Sequence, residues 1–272
     1  MEVPFLKRAF FSLTVQESKL LISKAVCELE EVKSAMKEGC VIVARGTTNA
    51  YVASQLAEVS VDKGAFSAGI ITEGRPCATS DEARVDEFIF VNGRLSDVKW
   101  TEKIKEFKRG DVFIKGANAI DSEGNCGVLL GHNFGGTMGA SMHILTSRGS
   151  QIVVPVSLEK LVPSVEEACC DLGIDNLDYS LGMPCGMMMM PKSAIVVTEL
   201  EALEILFDVR ATHVASGGID GSEGSVVLSI VGEESDVKRA FDYILSIKGE
   251  PQTKAYKTKC SDCKISCYSV RG

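Results

Sequence analysis

The chain reads as an α/β protein, with a three-layer parallel-sheet (Rossmann-like) core and a small ferredoxin-like α+β satellite. Three observations predict this. Uninterrupted apolar runs of strand length recur, such as CVIVA (Cys40–Ala44) and SQIVVPV (Ser150–Val156). Such runs mark strands buried on both faces, as parallel strands are. Segments with helical spacing lie between them, and that alternation argues for a layered sheet. After Val162 the pattern turns to a βαββα run, held between Ser193 and Gly249.

In chain order, Thr14 and Glu17 form a capping-box pattern. Leu21, Ala25, Leu29, Val32 and Met36 then recur on one helical face. The spacing predicts a single helix to about Lys37, stopped by Gly39. Cys40–Ala44 is the first core strand, and RGTTNAYVASQLAEV is a glycine turn opening a helix. Further strands are expected at Glu87–Gly93, Asp111–Ile120 and Ser150–Val156, with helices at Lys99–Phe107 and Gly136–Thr146. SVEEACCDLGI reads as a short helix. LDYSLGMPCGMMMMPKS reads as a loop, whose soft methionines suit core filling or a subunit contact. AIVVT, ELEALEILFDV, ATHVASGGID, SVVLSIVGE and ESDVKRAFDYILSIKG supply the satellite. The expected divisions are a ligand-binding core at 1–162, a satellite or lid at 163–250, and a cysteine-containing tail at 251–272.

The 272 residues are 45% hydrophobic and 24% charged, with a formal net charge of −8. The acidic balance argues against a nucleic-acid partner, which needs a basic face. No run is long and apolar enough for a membrane span. The opening MEVPFLKRAFFSL, broken by Lys7 and Arg8, does not read as a secretion signal. With ten cysteines and no such signal, reduced thiols in a cytoplasm are expected.

Two glycine-rich stretches follow strand ends, where open α/β sheets place their ligands. In the first, Arg45, Gly46, Thr47, Thr48 and Asn49 offer backbone N–H groups, hydroxyls, a guanidinium and a helix N-terminus, which together suit phosphate or carboxylate. In the second, Gly116 opens a turn-rich segment, and Gly135, Gly136 and Thr137 begin another helix. Two such cradles on neighbouring strands would hold a small anionic ligand between them. His132 lies in the same glycine-rich segment. His143 reads as a packing residue, His213 has no assigned role, and Arg75 is a further candidate anion contact.

The motifs VARGTTNAYVASQL, GDVFIKGANAIDSEGN and GGTMGAS…RGSQIVVPV resemble those of a superfamily. It contains ribose-5-phosphate isomerase, glucosamine-6-phosphate deaminase, CoA transferases, the sugar-sensing domains of DeoR-type regulators and the initiation factor 2B subunits. The resemblance covers Val15 to Val156. It implies a sugar-phosphate-like ligand, isomerase- or transferase-type chemistry, and a homo-oligomer. Asp121 matches an acid of the isomerase pattern, but Asn118 stands where that pattern has Asp, and its lysine and glutamate around the glycine run are missing. On this resemblance Asp121 would carry proton transfer, with Asn118 and His132 helping. The alternative is a non-catalytic regulatory or assembly subunit.

CSDCKISC places Cys260, Cys263 and Cys267 in a C-x2-C-x3-C spacing. Three thiolates this close suit zinc or an iron–sulfur cluster with a fourth ligand from elsewhere, for which Cys185 is a candidate. A metal- or redox-responsive protein is therefore a third reading.

Overall fold

The computed structural model describes residues 6–263 together with Ile265 and Cys267. The start of the N-terminal segment read for a leader (1–5) and the end of the tail (268–272) lie outside the described residues.

Strand β1 (Lys7–Leu13) alternates, burying Phe11 and Leu13 while Phe10 faces outward. Helix α1 (Val15–Glu28) opens with the expected box. Thr14 N–H donates to Glu17 Oε2 at 2.9 Å, and Glu17 N–H to Thr14 Oγ1 at 3.4 Å. The single helix expected to Lys37 is in fact two. Leu29 takes an extended ψ of 135°, and α2 (Glu30–Glu38) starts afresh beyond it. The apolar spacing survives the break, so periodicity alone does not reveal it.

Strand β2 (Cys40–Val43) leads into α3 (Thr47–Ala57). A hairpin of β3 (Gly69–Thr72) and β4 (Arg75–Ala78) follows, then β5 (Phe88–Val91) and β6 (Arg94–Leu95). Helix α4 (Trp100–Lys103) is one turn continued by a 3-10 turn, and β7 (Val112–Ile114) returns to the sheet. Strands β8 (Ala119–Ile120) and β9 (Cys126–Leu130) make a second hairpin, so the stretch read as one strand to Ile120 serves two sheets. Next come α5 (Gly136–Arg148), β10 (Gln151–Pro155) and α6 (Val165–Cys170). The methionine run, expected as loop, is strand β11 (Gly186–Met189), paired antiparallel with β9. The chain continues through β12 (Ile195–Val197), α7 (Glu199–Phe207), β13 (Arg210–Gly217), β14 (Ser225–Gly232) and α8 (Glu234–Ser246).

The main sheet runs β12-β10-β7-β2-β5-β6. Strands β12, β10, β7 and β2 are mutually parallel, but β5 pairs antiparallel with β2, and β6 antiparallel with β5. The expected all-parallel core is thus a mixed sheet. A hairpin-like return at its edge is compatible with an apolar run such as FIFV, which carries no mark of direction.

Alternate residues of β2 face opposite ways. Val41 and Val43 join one apolar cluster with Leu21 and Ile22 of α1 and Ala50 and Ala53 of α3. Cys40, Ile42 and Ala44 join the other with Phe107, Phe113, Met138 and Leu145. The first cluster continues through Leu203 of α7 to Leu228 and Ile230 of β14 and Ala240 of α8.

The satellite is assembled differently from the expectation. β12 was its expected first strand, yet it extends the main sheet beside β10. The three-stranded antiparallel sheet β1-β14-β13 takes its third strand from the N-terminus instead. Buried Glu17 ties the two parts further, accepting from Gly249 N–H at 2.9 Å and Lys248 Nζ at 2.6 Å. Among the described residues no helix is long and apolar enough to cross a membrane.

Candidate functional site

A cavity of about 490 Å³ lies beyond the carboxyl ends of β2 and β7. Both glycine corners line it: Gly46–Asn49 at the start of α3, and Gly135–Thr137 at the start of α5. Gly116, Asn118 and His132 line it as well.

The first corner is held by its own hydrogen bonds. Gly46 N–H donates to Phe66 O at 2.9 Å. Asn49 is fully buried, and its Nδ2 donates to Ala44 O at 2.7 Å and Ile114 O at 3.2 Å. That amide locks the ends of β2 and β7 together beneath the corner. Its Oδ1 is buried with no protein partner. A buried amide oxygen without a donor is costly, so this atom marks a place for one. Gly46 fills the N-cap position, and no side chain caps α3. The first-turn N–H groups of α3 thus have no side-chain partner at the cap, whereas Thr14 and Thr198 fill that role in α1 and α7.

The second corner depends on glycine conformation. Gly135 and Gly136 have φ of 70° and 54°, in the left-handed region. A Cβ on Gly139 would sit 1.9 Å from Phe134 O, so the turn closes only over a bare α-carbon. No side chain caps α5 either. His132 is exposed, and its Nδ1 accepts from Phe134 N–H at 3.1 Å, shaping the loop before the helix.

The cavity's charge comes from residues the sequence reading passed over. Lys115, Lys160 and Arg84 all line it. Lys115 Nζ donates to Arg45 O at 3.0 Å, and Lys160 Nζ to Ala117 O at 2.9 Å. Burial pulls the Lys115 ammonium down to about 8, with the positive charges of Lys160 and Arg45 adding to the fall and Glu87 opposing it. Burial lowers Lys160 as well. Arg84 binds Thr79 O and Asp81, but its Nε is buried without a partner. No carboxylate lines the cavity among the described residues. A cationic pocket in a chain of net charge −8 is a local concentration of positive potential.

The side chains of three expected site residues make bonds within the protein. Arg45 contributes to the cavity wall, but its guanidinium is committed elsewhere, to Val85 O at 2.7 Å, Asp86 at 2.7 Å and Glu87 at 3.2 Å. Asp121 does not line the cavity. Its carboxylate accepts from Glu123 N–H, Asn125 N–H, Asn125 Nδ2 and Val165 N–H, closing the turn between β8 and β9 and fastening α6. Burial raises its pKa, but those donors outweigh it and hold the carboxyl below its usual range. Asn118 lines the cavity while its Oδ1 accepts from Leu129 N–H at 3.0 Å across the hairpin. Among the described residues, no three histidine, cysteine or acidic side chains already stand together as a metal site.

Lys115 was legible in principle. It follows DVFI directly at a strand end, where a lysine stem must pass the sheet before its charge reaches solvent or ligand. Lys160 and Arg84 carry no local signal, because tertiary folding alone brings them to the cavity. Set against known proteins, the chain matches no family model, no curated protein and no solved structure.

Proposed function

We propose that this cavity binds a small phosphorylated or carboxylated molecule. The observation that carries the reading is the wall itself, where two helix starts without side-chain caps converge with Lys115, Lys160 and Arg84 and, among the described residues, no acid lines the cavity. Backbone N–H groups and helix dipoles favour an anion at each corner. The orphaned Asn49 Oδ1 and Arg84 Nε add an acceptor for a hydroxyl and a donor for an oxyanion. A ligand with both anionic and hydroxyl groups, such as a sugar phosphate, meets all of these together. That chemistry agrees with the resemblance of the two glycine motifs to the phosphosugar isomerase and CoA transferase superfamily.

The same wall favours binding over the proton transfer expected of Asp121. With that acid tied into its turn, Lys115 is the cavity's group for moving a proton, its neutral form gaining weight above pH about 8. Isothermal calorimetry with inorganic phosphate, pentose and hexose phosphates, and simple carboxylates tests the reading. Saturable binding to wild type that weakens in Lys115→Met supports it. No heat with any of these anions removes it.

A further inference from the structure

The C-terminal segment, read from the sequence as a cysteine-containing tail, is laid onto the body along its described length. Tyr51 Oη donates to Glu250 at 2.9 Å, and Tyr256 Oη to Asp62 at 2.7 Å. A Cβ on Gly64 would sit 1.8 Å from Lys254 O, so the segment passes directly over that glycine. Ser80 N–H donates to Tyr256 O at 2.9 Å, and Lys257 bridges Thr79 in antiparallel fashion just beyond β4. Lys257 also pairs with Glu73 in the turn between β3 and β4. These contacts bring Cys260, at the start of the C-x2-C-x3-C motif, towards β4, which carries Cys77. Lys257 Nζ lies 4.0 Å from Cys260 Sγ. Cys77 and Ile265 both line the cavity, so the two segments meet at its edge.

We propose that Cys77, Cys260, Cys263 and Cys267 form a four-thiolate zinc site that fastens the C-terminal segment to the β3–β4 hairpin. Four sulfurs are the ligand set of a closed structural zinc site, and two of them come from a C-x2-C pair. The fourth ligand is Cys77 and not Cys185. Cys77 lies two residues before Thr79, the residue that Lys257 bridges, so β4 carries it alongside the start of the motif. Cys185 is buried, and its Sγ donates to Met183 O at 3.4 Å. The Lys257 ammonium offsets part of the excess negative charge that four thiolates carry around one dication. Binding exchanges four S–H bonds for four S–Zn bonds and releases the protons to buffer. Among the described residues the four sulfurs do not already stand together as a metal site, so the metal draws the motif closed. The site stands independently of the anion reading.

The test uses the full chain, purified anaerobically under reducing conditions and given one equivalent of zinc. Elemental analysis after gel filtration is expected to find about one zinc per chain, the stoichiometry of a closed four-ligand site. Cys77→Ser and Cys263→Ser are expected to lose it, and Cys170→Ser to keep it. Cobalt(II) substitution gives a second readout that does not depend on a variant folding: wild type should show the strong thiolate-to-cobalt absorption of a four-sulfur site. Zinc retained in full by Cys77→Ser overturns the proposal. So does wild type that binds no zinc, carries iron with inorganic sulfide, or forms a Cys77 disulfide under reducing purification.

Discussion

The two corners of the cavity do the same job by opposite means. At α3 the turn is fixed from below, since Asn49 ties two strand ends together and Gly46 N–H is tied to Phe66 O. At α5 the turn is fixed by what is missing, a Cβ on Gly139 and on two residues with positive φ. Gly46 itself has φ of 166°, which is extended backbone, and an added Cβ would meet only Asn49 at 3.6 Å. A glycine at a helix start can therefore be obligatory or incidental, and the sequence spelling is the same in both.

Substitutions that exchange these dependencies test the contrast. The largest effect is expected at Gly139→Val. Its Cβ cannot be placed without moving the Phe134 carbonyl, and such overpacking costs about 3 kcal/mol or more. A thermal melt should fall by many degrees and phosphate binding should vanish; a wild-type melt would break the contrast. Asn49→Leu comes next. It leaves Ala44 O and Ile114 O without their buried donor, at about 1–3 kcal/mol. Chemical denaturation reads this directly, and an unchanged midpoint would show that the amide is not the lock.

Lys115→Met moves binding more than folding. Loss of one charge-assisted contact of about 1.5–3 kcal/mol predicts phosphate affinity lower by roughly tenfold or more. The pH dependence follows from the same group. Its folded pKa, about 8, lies below the ordinary lysine value, so the folded state releases this proton before the unfolded state does. Lys115 therefore makes stability rise with pH from about 8 toward the ordinary lysine range, while phosphate affinity falls over the lower part of that window as the ammonium is lost. Calorimetry between neutral and alkaline pH should show that fall in wild type and a flatter profile in Lys115→Met. The smallest effect is expected at Gly46→Ala, below about 1 kcal/mol in stability, because an extended position with room for a methyl resists little. A collapse there would erase the difference between the corners.

Much of the architecture was readable from apolar runs and caps. CVIV, QIVVP, the Thr14–Glu17 box and the helices from Gly136 and Glu199 stand where the spacing put them. The direction of β5 was not readable, nor was the helix break at Leu29, because an apolar period is indifferent to both. The methionine run misled for a related reason: it sits between Gly186 and Pro191 and reads as irregular, yet β9 offered it an open edge. At the site, Gly46–Asn49 and Gly135–Thr137 were legible as helix starts after strands. Asp121 was singled out because it matches an acid of the superfamily's pattern, but it also stands in an Asp-x-x-Gly turn spelling, and its carboxylate is used as that turn requires.

What the sequence determined by itself is local: where apolar period changes, where a helix can start without a side-chain cap, and which segments carry thiols. Only the tertiary structure decided which distant pieces meet. It seated β1 against β14, gave β12 to the main sheet, and brought Lys115, Lys160 and Arg84 to one cavity. The physical reason is that strand pairing and charge clustering are settled by burying a shared apolar core. That core spans residues far apart in the chain, and no short window of sequence contains both partners.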